Sequence, residues 1–284
     1  MKRYITFALA VLAVAACQRP ENPVVRPDVE PGKVEIEPVI TKATEVNFEN
    51  GDQIGLTMIK VNDTENFTTN ECLTFDGDVF TGNLKWYADA YSEADVYAYY
   101  PYDENGTPDT YSAVLDQTEG IVQADFMAAA KEGVLPTPNA VTMVFKHMMT
   151  KIVINIDNQS GSDIDNVKII GGDAVCGLDL PNLAIVPAEE ASQNNEVTEI
   201  VTYEATAGEV WKAIIIPQTV KLQIEVNLAD GKKITQPLAE MTLKSGGQYT
   251  VNARLVQDNM TVSASGEIEN WTDEGEIDLD GQGS

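Results

Sequence analysis

The chain has 284 residues and carries 45 acidic against 18 basic side chains, a formal net charge of −27. A surface this acidic repels phosphate backbones and anionic headgroups, which argues against nucleic acid as a partner. With 43% apolar residues the chain can bury a sizeable core, and its length suggests two domains of ordinary size.

In chain order, Lys2 and Arg3 precede an uncharged apolar run, Ile5 to Ala16, that closes as Val14-Ala15-Ala16-Cys17. A basic start, an apolar stretch and small residues before the cut make a secretory signal peptide over residues 1–16. The run is too short to span a bilayer, which takes ~20 apolar residues. A cysteine directly after the small pair is the lipobox arrangement, in which the Cys17 thiol takes a lipid and becomes the mature amino terminus. The outer membrane is then a partner through that lipid, since two or more acyl chains anchor stably. Residues 17–40 contain Pro20, Pro23, Pro27, Pro31 and Pro38 and read as an extended spacer. Arg26 and Lys33 are its exposed basic residues and Lys42 follows at its end, positions open to a trypsin-like protease.

The remainder reads as β structure. Gly51-Asp52 supplies a turn between short apolar runs, and Asp76-Gly77-Asp78 joins Leu73-Thr74-Phe75 to Val79-Phe80 as a hairpin. Trp86-Tyr87 and Val96 to Tyr100 are aromatic strand candidates. Asp125 to Lys131 is alanine-rich and fits one helical turn. Met143 to Ile156 reads as one long strand with a bulge or with both faces buried. Leu222, Ile224, Val226 and Leu228 alternate with polar residues, Asp230-Gly231 turns the chain, and Tyr249, Val251, Ala253 and Leu255 form another inward row. Met260, Val262 and Ala264 follow, and Ile268 to Trp271 closes the core. Many short strands between regular turn signals indicate an all-β fold of β-sandwich type. Pro136 and Pro138 mark a boundary, giving an N-terminal sandwich over 41–139 and a C-terminal one over 140–284.

Chemistry-bearing motifs are sparse. His147 is the one histidine and sits between Phe145 and Met149, a packing position. Gly171-Gly172-Asp173 is a turn without the Lys-Ser/Thr of a phosphate loop. No catalytic residue, metal site or cofactor is indicated. The carboxylates do not single out a pair for glycoside hydrolysis, which stays the weakest alternative. Cys72 and Cys176 read as two separate buried thiols. Trp86, Tyr87 and Tyr99, with Tyr97 and Tyr100, are candidates for an aromatic ligand platform, and a glycan-binding outer-membrane lipoprotein is therefore the rival reading.

Several stretches together resemble the fimbrillin-like family of type V pilus subunits and surface lipoproteins. They are Thr41-Lys42-Ala43-Thr44, Phe48-x-x-Gly51-Asp52-x-Ile54-Gly55-Leu56, Tyr99-Tyr100-Pro101-Tyr102, Asp125-Phe126-Met127-Ala128-Ala129, and Phe145-x-His147-Met148-x-x-Lys151-Ile152. Ile216-Pro217-Gln218-Thr219, Gly246-Gly247-Gln248-Tyr249 and Ile268-x-x-Trp271 follow in the family's order. The resemblance implies two tandem transthyretin-like β-sandwiches and a structural or adhesive role as stalk, tip or anchor subunit, without catalysis. It also implies other fimbrial subunits as partners by donor-strand exchange, with a host or glycan ligand where the subunit is adhesive. In that scheme a surface protease removes the first strand. The family's arginine before the cut is here Lys42, with Ala43 after it, and the tail from Thr272 to Ser284 is polar, with Ile277 and Leu279 faintly alternating.

Overall fold

The computed structural model describes residues 31–40, 47–61, 66–187, 198–257 and 259–270; of 263–270 it describes the backbone only. The first eight strands are β1 (Ile36–Ile40), β2 (Gln53–Lys60), β3 (Asn66–Phe75), β4 (Phe80–Thr81), β5 (Ala94–Tyr100), β6 (Thr110–Ser112), β7 (Met127–Val134) and β8 (Val141–His147). Seven of them, in the order β1-β4-β3-β2-β5-β7-β8, form a sheet that closes on itself where β8 meets β1 in parallel. Alternation places Ile54, Leu56 and Met58 of β2 and Val96, Ala98 and Tyr100 of β5 inside, with Phe80, Met143 and Phe145.

Thirteen further strands follow: β9 (Thr150–Gln159), β10 (Ile164–Ile170), β11 (Val175–Asp179), β12 (Ala184–Pro187), β13 (Glu199–Val201), β14 (Tyr203–Thr206), β15 (Val210–Ile215), β16 (Thr219–Val220), β17 (Gln223–Leu228), β18 (Lys233–Pro237), β19 (Met241–Thr242), β20 (Gly247–Val256) and β21 (Asn259–Asn270). A four-stranded sheet, β13-β10-β17-β18, and a five-stranded one, β14-β15-β9-β20-β21, enclose a second core. Ile152 and Ile154 of β9 and Val251 and Leu255 of β20 come from one sheet, Ile169, Ile224 and Val226 from the other. This half is a sandwich, and the inward rows read from Leu222 to Leu228 and from Tyr249 to Leu255 are buried as their alternation requires. The turns at Gly77 (φ 109°) and Gly231 (φ 87°) use a left-handed backbone open to glycine.

Three elements depart from the sequence reading. The alanine-rich stretch is not helical: a single 3₁₀ turn covers Val122–Ala124, and Ala128 to Ala130 lie in β7, paired with Tyr99 to Tyr97 of β5. Tertiary pairing with β5 overrides the helix propensity of the alanines. The long strand from Met143 divides at Met148-Met149, both fully buried, where the chain leaves the first sheet for the second. That change of sheet, rather than Asn139/Ala140, separates the two sheet systems, because β8 pairs with β1 and β7. The spacer reading ends early, since Ile36–Ile40 form β1.

The halves meet in a third core of Tyr99, Phe126, Ala128, Met148, Cys176, Leu178 and Ile214. Beside it β6, from the first half, pairs with β11 of the second in the sheet β12-β11-β6.

Candidate assembly site

The first described strand completes the N-terminal sheet. Val34 and Ile36 point inward and are fully buried, Glu37 points out, and Ile40 packs half-buried against the same core. On one side β1 runs parallel to β8 over five residue pairs, Ile36↔Val141 through Ile40↔Phe145. The Val141 N–H donates to the Glu35 carbonyl at 2.8 Å, and the Thr142 hydroxyl donates to Glu37 Oε2 at 2.9 Å. On the other side pairing is sparser: Ile36 faces Phe80, the Val34 N–H donates to Leu84 O at 3.0 Å, and the Trp86 N–H donates to Gly32 O at 2.9 Å.

The rest of the sheet depends on this strand. β8 pairs with β7 only at His147 and Lys146, so from Val141 to Phe145 its ladder partner is β1. Without β1 that stretch would present an unpaired edge above Val141, Met143 and Phe145, which are at most 5% exposed. Phe48, the second residue of the described segment 47–61, sits edge-on to Phe80 (4.8 Å between centroids), Phe145 (5.2 Å) and Tyr100 (5.3 Å). It forms an aromatic floor that belongs to the chain after Ala43. An open edge over an apolar trough binds an incoming strand: backbone groups supply the hydrogen bonds and alternate side chains fill the trough.

Of the residues singled out in the sequence, Cys17, Arg26, Lys42 and Ala43 lie outside the described residues. Lys33 is exposed, and its backbone is bridged to Lys85. The aromatic candidates do not make a shared platform. Trp86 (3% exposed) and Tyr87 (9%) belong to the first core and Tyr99 (1%) to the third. Their rings are spent on packing: the Tyr87 hydroxyl donates to the Ser92 carbonyl, and the Tyr99 hydroxyl donates to Asn70 Oδ1 at 2.6 Å. Burial, then the charges of Asp89 and Glu93, pushes the Tyr87 phenol up to about 12.

His147 is buried against Asp125, with Nδ1 2.9 Å from Oδ1, an internal pair created by the Met127↔His147 register. Cys72 is half-buried and Cys176 buried, each as a free thiol; burial pushes Cys176 up to about 12. The alternation Val34-Glu35-Ile36-Glu37 marks a candidate removable strand in the sequence, and the structure seats its inward Val34 and Ile36 in the first core while carrying β1 on to Ile40. Phe48 was not recognised as a site residue.

The chain is thus an all-β protein, mostly antiparallel, whose first described strand closes a sheet over an apolar trough. The fimbrillin-like family profile matches residues 41–271, and the chain belongs to that family. Residues 1–18 match the prokaryotic membrane lipoprotein lipid attachment site, which marks a lipid-anchored protein of the cell surface. Among solved structures, a candidate cell adhesion protein from Bacteroides ovatus is similar at 23% identity and a TM-score of 0.68, over 87% of this chain and 100% of that one. A candidate cell adhesion protein from Bacteroides uniformis has 22% identity and a TM-score of 0.65, over 85% and 98%. The C-terminally truncated tip fimbrial protein Mfa3 from Porphyromonas gingivalis has 8% identity and a TM-score of 0.51, over 83% and 99%. At these identities the likeness is one of fold. A search of curated protein sequences gave no match.

Proposed function

We propose that this protein is a non-catalytic structural or adhesive subunit of a surface fimbria, acylated on Cys17 and joined to its neighbours by strand complementation. The observation that carries the reading is the way β1 closes the first sheet: a short parallel strand near the chain's start covers Val141, Met143 and Phe145. Maturation by a cut at Lys42-Ala43 releases the lipid and β1 together, and a strand from the next subunit takes the vacated place. A cut after Lys33 would leave β1 seated, and the bridge from Lys33 to Lys85 holds that residue away from a protease cleft. A cut after Arg26 meets Pro27 and also leaves β1 in place. The subunit then works as two β domains in series, joined near Met148-Met149.

Mass spectrometry of the native amino terminus, read beside a ladder of subunit multiples from mildly heated surface extracts, tests this. An amino terminus at Ala43 together with a ladder is the expected result. Acylated Cys17 on all of the protein, with no ladder, overturns polymerisation and leaves a lipid-held anchor.

A further inference from the structure

The outer face of the first sheet carries a cleft apart from the β1 trough. On β2 and β5 the inward residues are Leu56, Met58, Val96 and Ala98, so Thr57 and its register partner Tyr97 face outward. Thr69 of β3 stands beside them, and opposite rise the loop Thr107 to Asp109 and the β11–β12 hairpin with Asp179 and Val186. The cleft is open to solvent and its volume is about 490 Å³, within the ~300–1,000 Å³ of small-ligand sites.

We infer that this cleft, built on Tyr97 and Asp109 with the hydroxyls of Thr69 and Thr107 at its wall, binds a neutral sugar residue of a glycan. Four observations carry it. Among the described residues the polar lining consists of hydroxyls, carboxylates and the amide of Asn66, which donates to the Thr69 hydroxyl at 2.9 Å, with no lysine or arginine, which suits uncharged hydroxyl donors and repels acidic sugars. Tyr97 adds a half-buried ring, an apolar surface with a polar tip of the kind that packs against the carbon face of a pyranose. Neither the Tyr97 hydroxyl nor the Asp109 carboxylate makes a side-chain hydrogen bond among the described residues, so both can serve a ligand. Finally, β2 and β5 are paired along both edges. No backbone edge on the cleft floor is open to a peptide strand, and recognition falls to side chains.

The wall is structured rather than accidental. Thr57 Oγ1 lies 3.2 Å from Thr107 Oγ1 and accepts the Asn70 N–H at 3.2 Å, tying the loop to the sheet. The Leu178 N–H donates to the Asp109 carbonyl at 2.8 Å, fixing the opposite side. Because β1 is not part of the wall, the cleft is present whether or not the leader is removed, and the inference stands independently of the assembly reading.

Saturation-transfer NMR on the full chain in detergent, with the methyl glycosides of glucose, galactose, mannose, fucose and N-acetylglucosamine as probes, tests it. At least one of them should receive saturation. Tyr97→Phe and Asp109→Asn should each weaken that binding about tenfold, whereas Tyr91→Ala, at an exposed ring outside the cleft, leaves it unchanged. Asp109 is exposed, so its replacement reads recognition rather than folding. The inference is overturned if no neutral glycoside binds, if only sialic acid or a peptide binds, or if both cleft variants bind as the wild type does.

Discussion

Gly55 and Tyr99 show how tightly single positions are set. A Cβ on Gly55 would stand 2.3 Å from the Tyr99 ring and 2.6 Å from Asn70 Oδ1, so the glycine makes room for the phenol that Asn70 receives. Burial of that kind leaves several hydroxyls with displaced acidities. Tyr99 and Tyr100 are both pushed up to about 12, first by burial; for Tyr100 the Asp52 carboxylate, which accepts its hydroxyl at 3.4 Å, adds to the shift. The Tyr111 phenol is raised further, again mainly by burial, while its hydroxyl donates to Ala124 O at 2.8 Å. A raised pKa means the folded state holds its proton more tightly than the unfolded one. The stability it contributes is complete below pH 10, the ordinary tyrosine value, and is lost as pH rises toward about 12. Urea midpoints should therefore fall over that interval, each tyrosine adding at most about 1.4 kcal/mol per pH unit to the slope. Tyr100→Phe should flatten the fall, and an unchanged slope in that variant would contradict the assignment.

At the level of elements, β1 is the test case. Ile36 is fully buried and pairs on both sides, with Val141 and with Phe80. Ile36→Ala should lower unfolding stability by about 2–5 kcal/mol, measured by urea denaturation of the uncleaved chain. Glu37→Ala, which removes only an exposed bond to Thr142, should cost far less. Equal effects would mean that the strand is not seated as described. The same strand shows what sequence can and cannot carry. Leu222 to Leu228 was legible because one face is buried against another sheet and the other is wet, so alternation survives in the residue types. The run of β1 on to Ile40 was obscured by Pro38, tolerated because the sparse pairing on its far side needs no N–H there. β7 was misread because three alanines favour a helix locally, while only their neighbours in β5 reveal the strand. The buried aromatics looked like a platform because size and polarity cannot tell a ring that faces solvent from one that faces a core. Tyr97 does line a cleft, yet that cleft needs Asp109 and Asp179, which sequence distance kept apart.

At the scale of the whole molecule, a strap over residues 113–117 adds to the third core and the β6–β11 pairing in joining the two sheet systems. The Ala113 N–H donates to Ala174 O at 2.7 Å, Val201 N–H to Leu115 O at 2.8 Å and Gln117 N–H to Val201 O at 3.0 Å. Gln117, only 1% exposed, then uses its side chain as a piece of ladder along β15. Its Nε2 donates to Ile214 O at 2.8 Å and to Val114 O at 2.9 Å, and its Oε1 accepts the Ile214 N–H at 2.9 Å. This amide reaches to β15, beside the shared core where the first half meets the second. Gln117→Ala removes both partners of the Ile214 backbone groups at once and leaves them buried, at ~1–3 kcal/mol for each orphaned group. Those groups belong to the contact between the halves, so the loss falls on their coupling more than on either core. Scanning calorimetry of the wild type should give a single transition. The variant should give two, the second core melting apart from the first. One unsplit transition at the wild-type temperature in Gln117→Ala would show that the third core and the backbone pairings join the halves and that the Gln117 amide adds nothing to their cooperation.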